Sequence, residues 1–228
     1  MKNYLIKYFL EFLVIVVGIS LSFYVEKQNA IAYKDELKNQ SLSRILKNIE
    51  VDTKDANFNL EAHREAIEAS DWVLDRKDRL LAYSRDSIGY HLGLAMTIAT
   101  LFVDNQEEYR GLQNSGLIEL IENEEVVVRL QNKYSAHSFY KEIEKIIIEY
   151  STRLSDYGLE NLRYNSNKTT PQGYFYDRTY TGASFKIPSK IIELLKEKKN
   201  FHGFYIDRIQ SRVVSDSILK TLIEKEIQ

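Results

Sequence analysis

Apolar residues are concentrated near the N-terminus, in residues 8–25, where Glu11 is the one charged side chain. As a helix this segment would be about 27 Å long, close to the ~30 Å hydrocarbon thickness of a bilayer. No small-residue cleavage site follows the apolar residues, and the chain has no cysteine that could carry a lipid, which argues against a cleaved signal or a lipoprotein signal. We therefore predict a transmembrane anchor at residues 8–25, with a buried helix of a soluble protein as the alternative.

Beyond the anchor, apolar positions recur at intervals of three and four residues, the pattern of amphipathic helices. The first stretch has no proline or glycine up to residue 75, so it predicts one helix that continues directly from the anchor. Further helices are predicted near residues 87–114, 117–163 and 189–227, and short connections favour antiparallel packing of sequence neighbours. His63 falls on the apolar stripe of the first helix, where a core histidine is favoured over a ligand.

Residues 88–103 are apolar enough to raise the question of a second membrane span. Their helical length is about 24 Å, which is shorter than the hydrocarbon layer, and Asp86 and Asp104 bound the segment. We predict a central core helix here. The N-caps predicted for the helices are Asp86 or Ser87, Asn105, Asn123 and Ser189.

The composition changes at residues 164–188, which contain both prolines and many aromatic residues. This stretch predicts an irregular crossing, with room for a short hairpin at residues 174–180. Loops of this length are uncommon without a purpose. Two interpretations stay open: the aromatic side chains pack onto the bundle, or they form a binding surface made of Tyr174, Phe175, Tyr176 and Tyr180.

Together these patterns predict an all-α protein. Residues 1–7 form a short tail, residues 8–25 the transmembrane helix, and residues 26–228 an antiparallel bundle of about four helices. With 9 glycines and 2 prolines in 228 residues, the composition also favours helices. A chain of this length fits one ordinary domain beside the anchor.

Glu11, Gly18 and Ser22 lie within about 40° of one another on a helical wheel. Gly18 and Ser22 have the small-xxx-small spacing that lets membrane helices approach closely, and an intramembrane carboxylate is a functional hypothesis by default. We predict that this anchor face supports helix association. Alternatively, Glu11 pairs with Lys7 one turn earlier at the membrane edge, or has an ion or proton role.

The sequence offers no motif for chemistry. The net charge is −2 and both signs are interspersed, which argues against a nucleic-acid partner. There is no cysteine, no zinc-protease motif, no Glu-x-x-His pair and no phosphate-binding loop. We therefore predict no catalytic, cofactor-binding or metal-ligating residues and no enzyme activity; a hydrolase assembled from distant residues is the less favoured alternative.

Two segments resemble a known family: EFLVIVVGISLSFYVEKQN and EEYRGLQNSGLIELIENEEVVVRLQNKY. They are similar to the bacterial membrane-anchored proteins grouped as the domain of unknown function with number 6090. The matching positions are Glu11, Gly18, Ser115, Gly116, Leu120, Ile121 and Asn123. The family's Asn-Trp pair is missing, because this anchor ends in Val25-Glu26-Lys27-Gln28-Asn29. The resemblance implies a bacterial membrane protein and supplies no activity.

Lysines flank the anchor on both sides, so the positive-inside rule does not decide its orientation. A short lysine-containing tail before an apolar segment is the usual layout of a signal anchor. We therefore expect a single-pass protein of the bacterial inner membrane with its domain in the periplasm. The expected function is a membrane-anchored helical binding or interaction module, either a scaffold, an accessory subunit or a ligand sensor. The alternative is a structural membrane oligomer; the expected partners are the lipid bilayer and a membrane protein or a second copy.

Overall fold

The computed structural model describes the backbone of residues 2–169 and 176–227 and the side chains of residues 6–164 and 178–227. Helix α1 runs from Lys2 to Arg76 without a break, so its 75 residues are about 110 Å long. Residues 6–36 are exposed, and from Leu37 onward one face of the helix is buried. The apolar segment and the first helix of the bundle are therefore one rod, as the sequence predicts.

After α1, which is the first pass of the chain along the bundle, the chain reverses and runs back beside α1. This second pass is only partly helical. A 3₁₀ turn at Leu80–Ala82 leads to helix α2 (Arg85–Thr97), then an extended segment at residues 98–106, then helix α3 (Glu107–Asn114). The helix predicted over residues 87–114 is therefore wrong in its middle. Helix α2 is a core helix, with Ile88, Leu92 and Ala95 fully buried, as predicted for this segment.

The third pass contains a 3₁₀ turn at Leu117–Leu120, helix α4 (Glu124–Ser135) and helix α5 (His137–Asn161). The single helix predicted over residues 117–163 is thus interrupted at Ala136, and its first turn is separate. The strand β1 (Leu162–Thr169) follows directly and pairs antiparallel with β2 (Tyr176–Tyr180). The predicted irregular crossing is therefore partly a hairpin, whose first strand begins before residue 164.

One of the predicted N-caps is confirmed: the Asn123 side chain accepts a hydrogen bond from the Glu125 amide at 2.9 Å. The cap predicted at Asn105 is displaced by one residue, because Gln106 is the N-cap of α3; the Asn105 side chain still accepts a hydrogen bond from the Glu107 amide at 3.1 Å. Helix α2 begins differently, because Ser84 and not Asp86 or Ser87 provides the cap, accepting from the Ser87 amide at 3.1 Å. The Asp86 carboxylate instead accepts a hydrogen bond from the Thr179 hydroxyl, which holds β2 against α2.

The last helix, α6 (Ser189–Glu226), runs antiparallel to α1 along the bundle. The cap predicted at Ser189 is wrong, because Pro188 is the N-cap and no side chain among the described residues caps this helix end. Contacts between α1 and α6 show the direction: Lys38 pairs with Glu226, and Asp71 with Lys199. The protein is all-α in class, and the residues that the structure describes form four antiparallel passes and one added hairpin. Three buried hydrophobic clusters follow one another along the bundle, from Leu42 near the apolar segment, through Leu60, to Val73 at the far end.

Two glycines let the hairpin lie directly on α2. A Cβ atom at Gly89 would be 2.1 Å from the Arg178 carbonyl oxygen, and one at Gly93 would be 3.0 Å from the Arg178 side chain. Any larger residue at position 89 would separate the strand from the helix. The Gly89-x-x-x-Gly93 spacing therefore places two glycines on one face of α2, where β2 packs directly against the helix and covers the far end of the core.

Replacing Gly89 by Ala should lower the free energy of unfolding by about 1–3 kcal/mol, because the new methyl group meets rigid backbone. The matched control is Gly111→Ala in α3, where nothing lies within 4 Å of the added Cβ. That change should be neutral or stabilise by about 0.5–1 kcal/mol. Urea unfolding of the full chain in mild detergent, followed by circular dichroism, measures both. Equal stability of the two variants would show that β2 does not rest on α2.

Candidate functional site

The predicted anchor face lies on an exposed part of α1. The Ser22 hydroxyl donates to the Gly18 carbonyl at 2.9 Å, and nothing lies within 4 Å of a Cβ added at Gly18. Lys7 Nζ is 3.9 Å from Glu11 Oε1, which is the pairing that the alternative interpretation predicts. This distance is at the long end of the range for an ion pair, and both side chains are more than half exposed.

Among the described residues, α1 is the one helix that is long and apolar enough to cross a membrane. None of its apolar window is buried inside the protein. The segment is therefore not a core helix of this bundle, which argues against the alternative of a buried soluble helix.

The predicted aromatic surface is only partly described. Tyr174 and Phe175 lie outside the described residues, and for Tyr176 only the backbone is described, as the first residue of β2. Tyr180 is fully buried, and its hydroxyl donates to the Ser184 carbonyl. Tyr180 therefore packs onto the bundle, and its assignment to a binding surface is wrong because the docked hairpin carries it into the core.

A groove of about 280 Å³ opens beside the hairpin, between α2, α5 and β1. Its walls include Met96, the Ser151 and Ser155 hydroxyls, and Leu159, and its rim carries Tyr164 and Arg178. The Arg178 guanidinium lies 4.6 Å from the centre of the Tyr164 ring and donates a hydrogen bond of 2.9 Å to its hydroxyl. The volume is at the lower limit for pockets that hold small ligands.

The first buried polar network is a cluster of ion pairs in the middle of the bundle. Lys133 Nζ lies 2.9 Å from Asp52 and 2.7 Å from Asp216, and the Arg212 guanidinium lies 2.9 Å from Asp104. All of these side chains are at most 5% exposed. The cluster joins α1, the extended segment, α4 and α6, so it fixes how these elements align. We call it the ionic cluster.

The electrostatics of the ionic cluster are unbalanced. Three carboxylates face the cations Lys133 and Arg212, so one negative charge is in excess unless His137, 2.6 Å from Asp104, is protonated. Burial raises the pKa of Asp52 above its usual value despite Lys133. Burial also acts to raise the pKa of Asp104, but Arg212 and His137 outweigh it and hold that pKa below its usual value.

The second buried polar network contains two histidines, and we call it the histidine network. The Nδ1 atoms of His63 and His202 are 2.8 Å apart, and His63 Nε2 lies 2.9 Å from the Thr100 hydroxyl. Thr100 in turn donates to the Asn59 side-chain oxygen at 2.5 Å. The Tyr205 ring stacks on His63 with 4.3 Å between centroids. The prediction that His63 is a core residue is confirmed, since it is fully buried.

Lys198 lies one helical turn before His202 and is almost fully buried. Its ammonium group donates to the carbonyl oxygens of Ala95 at 3.0 Å and Met96 at 2.9 Å. These carbonyls are in the last turn of α2, where no amide of the same helix is available to them. Lys198 therefore caps α2 from another helix, and burial lowers its pKa to about 7.

The extended segment at residues 98–106 is held by side chains, not by a β-sheet. The Phe102 amide donates to Glu144 at 2.7 Å, the Val103 amide to Asp55 at 2.8 Å, and the Asn105 amide to Asp52 at 3.3 Å. The Phe102 carbonyl accepts from Lys141. These carboxylates replace helical hydrogen bonds for three amides and keep the segment extended beyond the end of α2 at Thr97.

Sequence reasoning missed both networks, although α6 carries a signal for them. Its buried positions follow an alternating three- and four-residue spacing, and polar residues occupy several of them: Lys198, His202, Arg212 and Asp216. A polar residue on an otherwise apolar stripe of this regularity has to find a partner in the core. The spacing therefore indicates buried polar pairing, but it does not identify the partners.

The arrangement can align helices, and it encloses most of its ionisable groups; His137, beside Asp104, is the partly exposed member of the ionic cluster. His63 and His202 are closed off from solvent. Among the residues that the structure describes, no group of three or more His, Asp or Glu side chains is placed to hold a metal ion. Comparison with known proteins found no matching family profile, no matching curated protein and no matching solved structure.

Replacing Lys133 by Met should lower the free energy of unfolding by about 3–5 kcal/mol, because it leaves buried carboxylates without their nearest cation. The matched control is Lys220→Met, which removes the exposed pair with Glu50 at 2.6 Å and should change stability little. Chemical denaturation of the full chain in detergent at pH 7 compares the two. A small effect of Lys133→Met would show that Arg212 alone neutralises Asp52 and Asp216.

Proposed function

We propose that this protein is a membrane-anchored helical interaction module of the bacterial envelope, acting as a scaffold or accessory subunit, with ligand sensing as one form of that role. The observation that carries the proposal is the unbroken α1, which joins an exposed apolar segment to the core of the bundle. Because α1 is unbroken, no hinge separates the bundle from the anchor, and the bundle follows the tilt and rotation of the anchor.

The geometry of α1 sets the height of the bundle. Residues 26–36 form an exposed polar stalk about 16 Å long, and the buried part of α1 from Leu37 to Arg76 extends about 60 Å further. The end of α6 lies at the base, where Glu226 accepts hydrogen bonds from the Glu122 and Asn123 amides. The hairpin and its groove lie at the opposite end, facing away from the bilayer.

This layout supports an interaction role better than a catalytic one. The polar groups with unusual environments are enclosed, while the accessible features are the stalk, the hairpin end and the anchor face. We propose that the protein resides in the inner membrane with its domain in the periplasm, and that it belongs with the family of domain of unknown function 6090 that its sequence resembles. Its partners are then the bilayer and another membrane protein or a second copy.

The alternative function is a structural membrane oligomer that associates through Glu11, Gly18 and Ser22. The open space above Gly18 favours it, because a second helix can approach closely there. The two functions are compatible in one protein, but they place the partner differently. In the first it contacts the bundle, and in the second it contacts the anchor.

Fusion of alkaline phosphatase after Gln228 should give an active enzyme in a Gram-negative host, because α6 ends on the same side of the membrane as the bundle. A fluorescent protein that matures only in the cytoplasm should stay dark at the same position. As a control, both reporters are fused to residues 27–228 without the anchor, which should reverse the results. A fluorescent full-length fusion with inactive phosphatase would place the bundle in the cytoplasm.

Replacing Gly18 by Ile should weaken association through the anchor face, because the larger side chain keeps a second helix at a distance. Interhelical contacts of this kind are worth about 0.6–2 kcal/mol each, so we expect roughly a 3- to 30-fold loss of association. The matched control is Val16→Ile, about 160° around the helix, which should have no effect. Energy transfer between labelled copies, and between a labelled copy and a co-purified partner, in mild detergent measures this. The same association in wild type, Gly18→Ile and Glu11→Ala would mean that the anchor only tethers.

A further inference from the structure

The hydrogen bonds of the histidine network fix the position of every proton in it. The Asn59 amide group donates to Asp55, at 2.8 Å to its carbonyl and 3.1 Å to its carboxylate, so the Asn59 side-chain oxygen is an acceptor. The single proton of the Thr100 hydroxyl goes to that oxygen. Thr100 can therefore only accept from His63, and His63 carries its proton on Nε2.

The proton positions of His202 are fixed by the same hydrogen bonds. Because His63 Nδ1 is then a bare acceptor, His202 must donate to it from its own Nδ1 across 2.8 Å. This leaves the lone pair on His202 Nε2, which is buried and has no hydrogen-bond partner among the described residues. Both rings are neutral in this arrangement, and each nitrogen has one possible state.

An additional proton has no favourable place in the closed structure. On His63 Nδ1 it would face the N–H of His202 at 2.8 Å, and on His202 Nε2 it would be a buried donor without an acceptor. A charge there would also meet Lys198, which lies one turn away on α6. Consistent with this, burial and Lys198 lower the pKa of His63 to about 3, and burial, His63 and Lys198 hold that of His202 well below its usual value.

The charged groups around the pair come from every element packed against it. Helix α1 contributes Asp55, which binds Asn59 and the Val103 amide. Helix α5 contributes Glu144 and Lys141, which pair with each other at 2.9 Å; Glu144 accepts from the Tyr205 hydroxyl at 3.0 Å. Helix α6 contributes Lys198, and the extended segment contributes only the uncharged Thr100. Both carboxylates are already engaged, so neither is available to a histidinium.

We propose that the His63–His202 pair is an acid-sensitive lock that holds the extended segment, residues 98–106, against α1 and α6. Thr100 is the residue of that segment that the lock holds directly. The opened form takes up a proton from solvent on a histidine ring at mildly acidic pH, whereas the closed form does not. Acid therefore releases the segment locally while the rest of the bundle stays folded.

The direction of the pH effect follows from proton linkage. Above pH 6.5 both rings are neutral in both forms, and the lock is closed. As the pH falls below 6.5 toward 3, a histidine ring binds a proton in the open form but not in the closed form. Between pH 7 and pH 5, one freed histidine with an ordinary pKa raises the open population about 25-fold.

Because the chain has no cysteine, thiol labelling can follow the segment directly. Ala99→Cys places a probe in the segment, and Ala69→Cys places one in the buried far end of α1, where the side chain is 2% exposed. The full chain in mild detergent is labelled at pH 7 and pH 5, and each rate is divided by that of a free cysteine peptide at the same pH. We expect protection of Ala99→Cys, whose side chain is partly buried, to fall by up to about 25-fold, with little change at Ala69→Cys.

The double variant His63→Gln/His202→Asn removes both titrating rings and keeps amide donors and acceptors in their place. In it, protection of Ala99→Cys should be nearly the same at pH 7 and pH 5. His91→Gln is the matched control, since His91 lies outside the lock and bonds to the Ser87 carbonyl; it should retain the full effect. An unchanged pH effect in the double variant would overturn the proposal and assign the response to the carboxylates. If the double variant does not fold, the two single-cysteine variants that keep both histidines still test the proposal. Parallel loss of protection at positions 99 and 69 in these variants would mean global unfolding and would overturn the lock.

Discussion

The fold depends on the pairing of charged and polar side chains inside a helical bundle. Asp52, Glu144 and Lys198 are buried, and a buried charge without a partner costs more than one helical hydrogen bond is worth. Their partners are backbone groups of the second pass and charges of α4 and α6. These requirements keep residues 98–106 extended beyond the end of α2 at Thr97 and align α6 on α1.

The two polar networks and the three hydrophobic clusters have different roles. The hydrophobic clusters supply most of the driving force for folding. They do not strongly oppose a shift of one helix along another, because one aliphatic contact can replace another at little cost. Hydrogen bonds such as His202 to His63 and Lys133 to Asp216 are satisfied in one alignment of the helices only. The networks therefore select the register in which α1 and α6 pack.

The fixed register determines how the continuous helix α1 couples the apolar segment to the bundle. A long helix can couple the orientation of its N-terminal segment to that of the domain only if the domain packs on the helix in a fixed register. The ionic cluster holds α1 at Asp52, and the histidine network holds it at Asn59 and His63, about two and three turns further along. Between the apolar segment and these points the helix has no proline or glycine after Gly18. A bundle held in this way keeps its hairpin end at one distance and angle from the apolar segment.

Features that depend on local pattern could be predicted from the amino-acid sequence. The apolar run at residues 8–25 is the one helical segment of the described chain apolar enough for a membrane, and the three- and four-residue spacing predicted the four passes. Asn123 was identifiable as a cap because a cap needs only its neighbouring amides. The tertiary structure alone decided the extended segment after α2, the break at Ala136, the docking of β2 on Gly89, and the burial of Tyr180. Each of these depends on a partner distant in sequence, such as Glu144 for Phe102 or Arg178 for Gly89, and the hydrophobic periodicity of a segment carries no information about which distant residue will meet it.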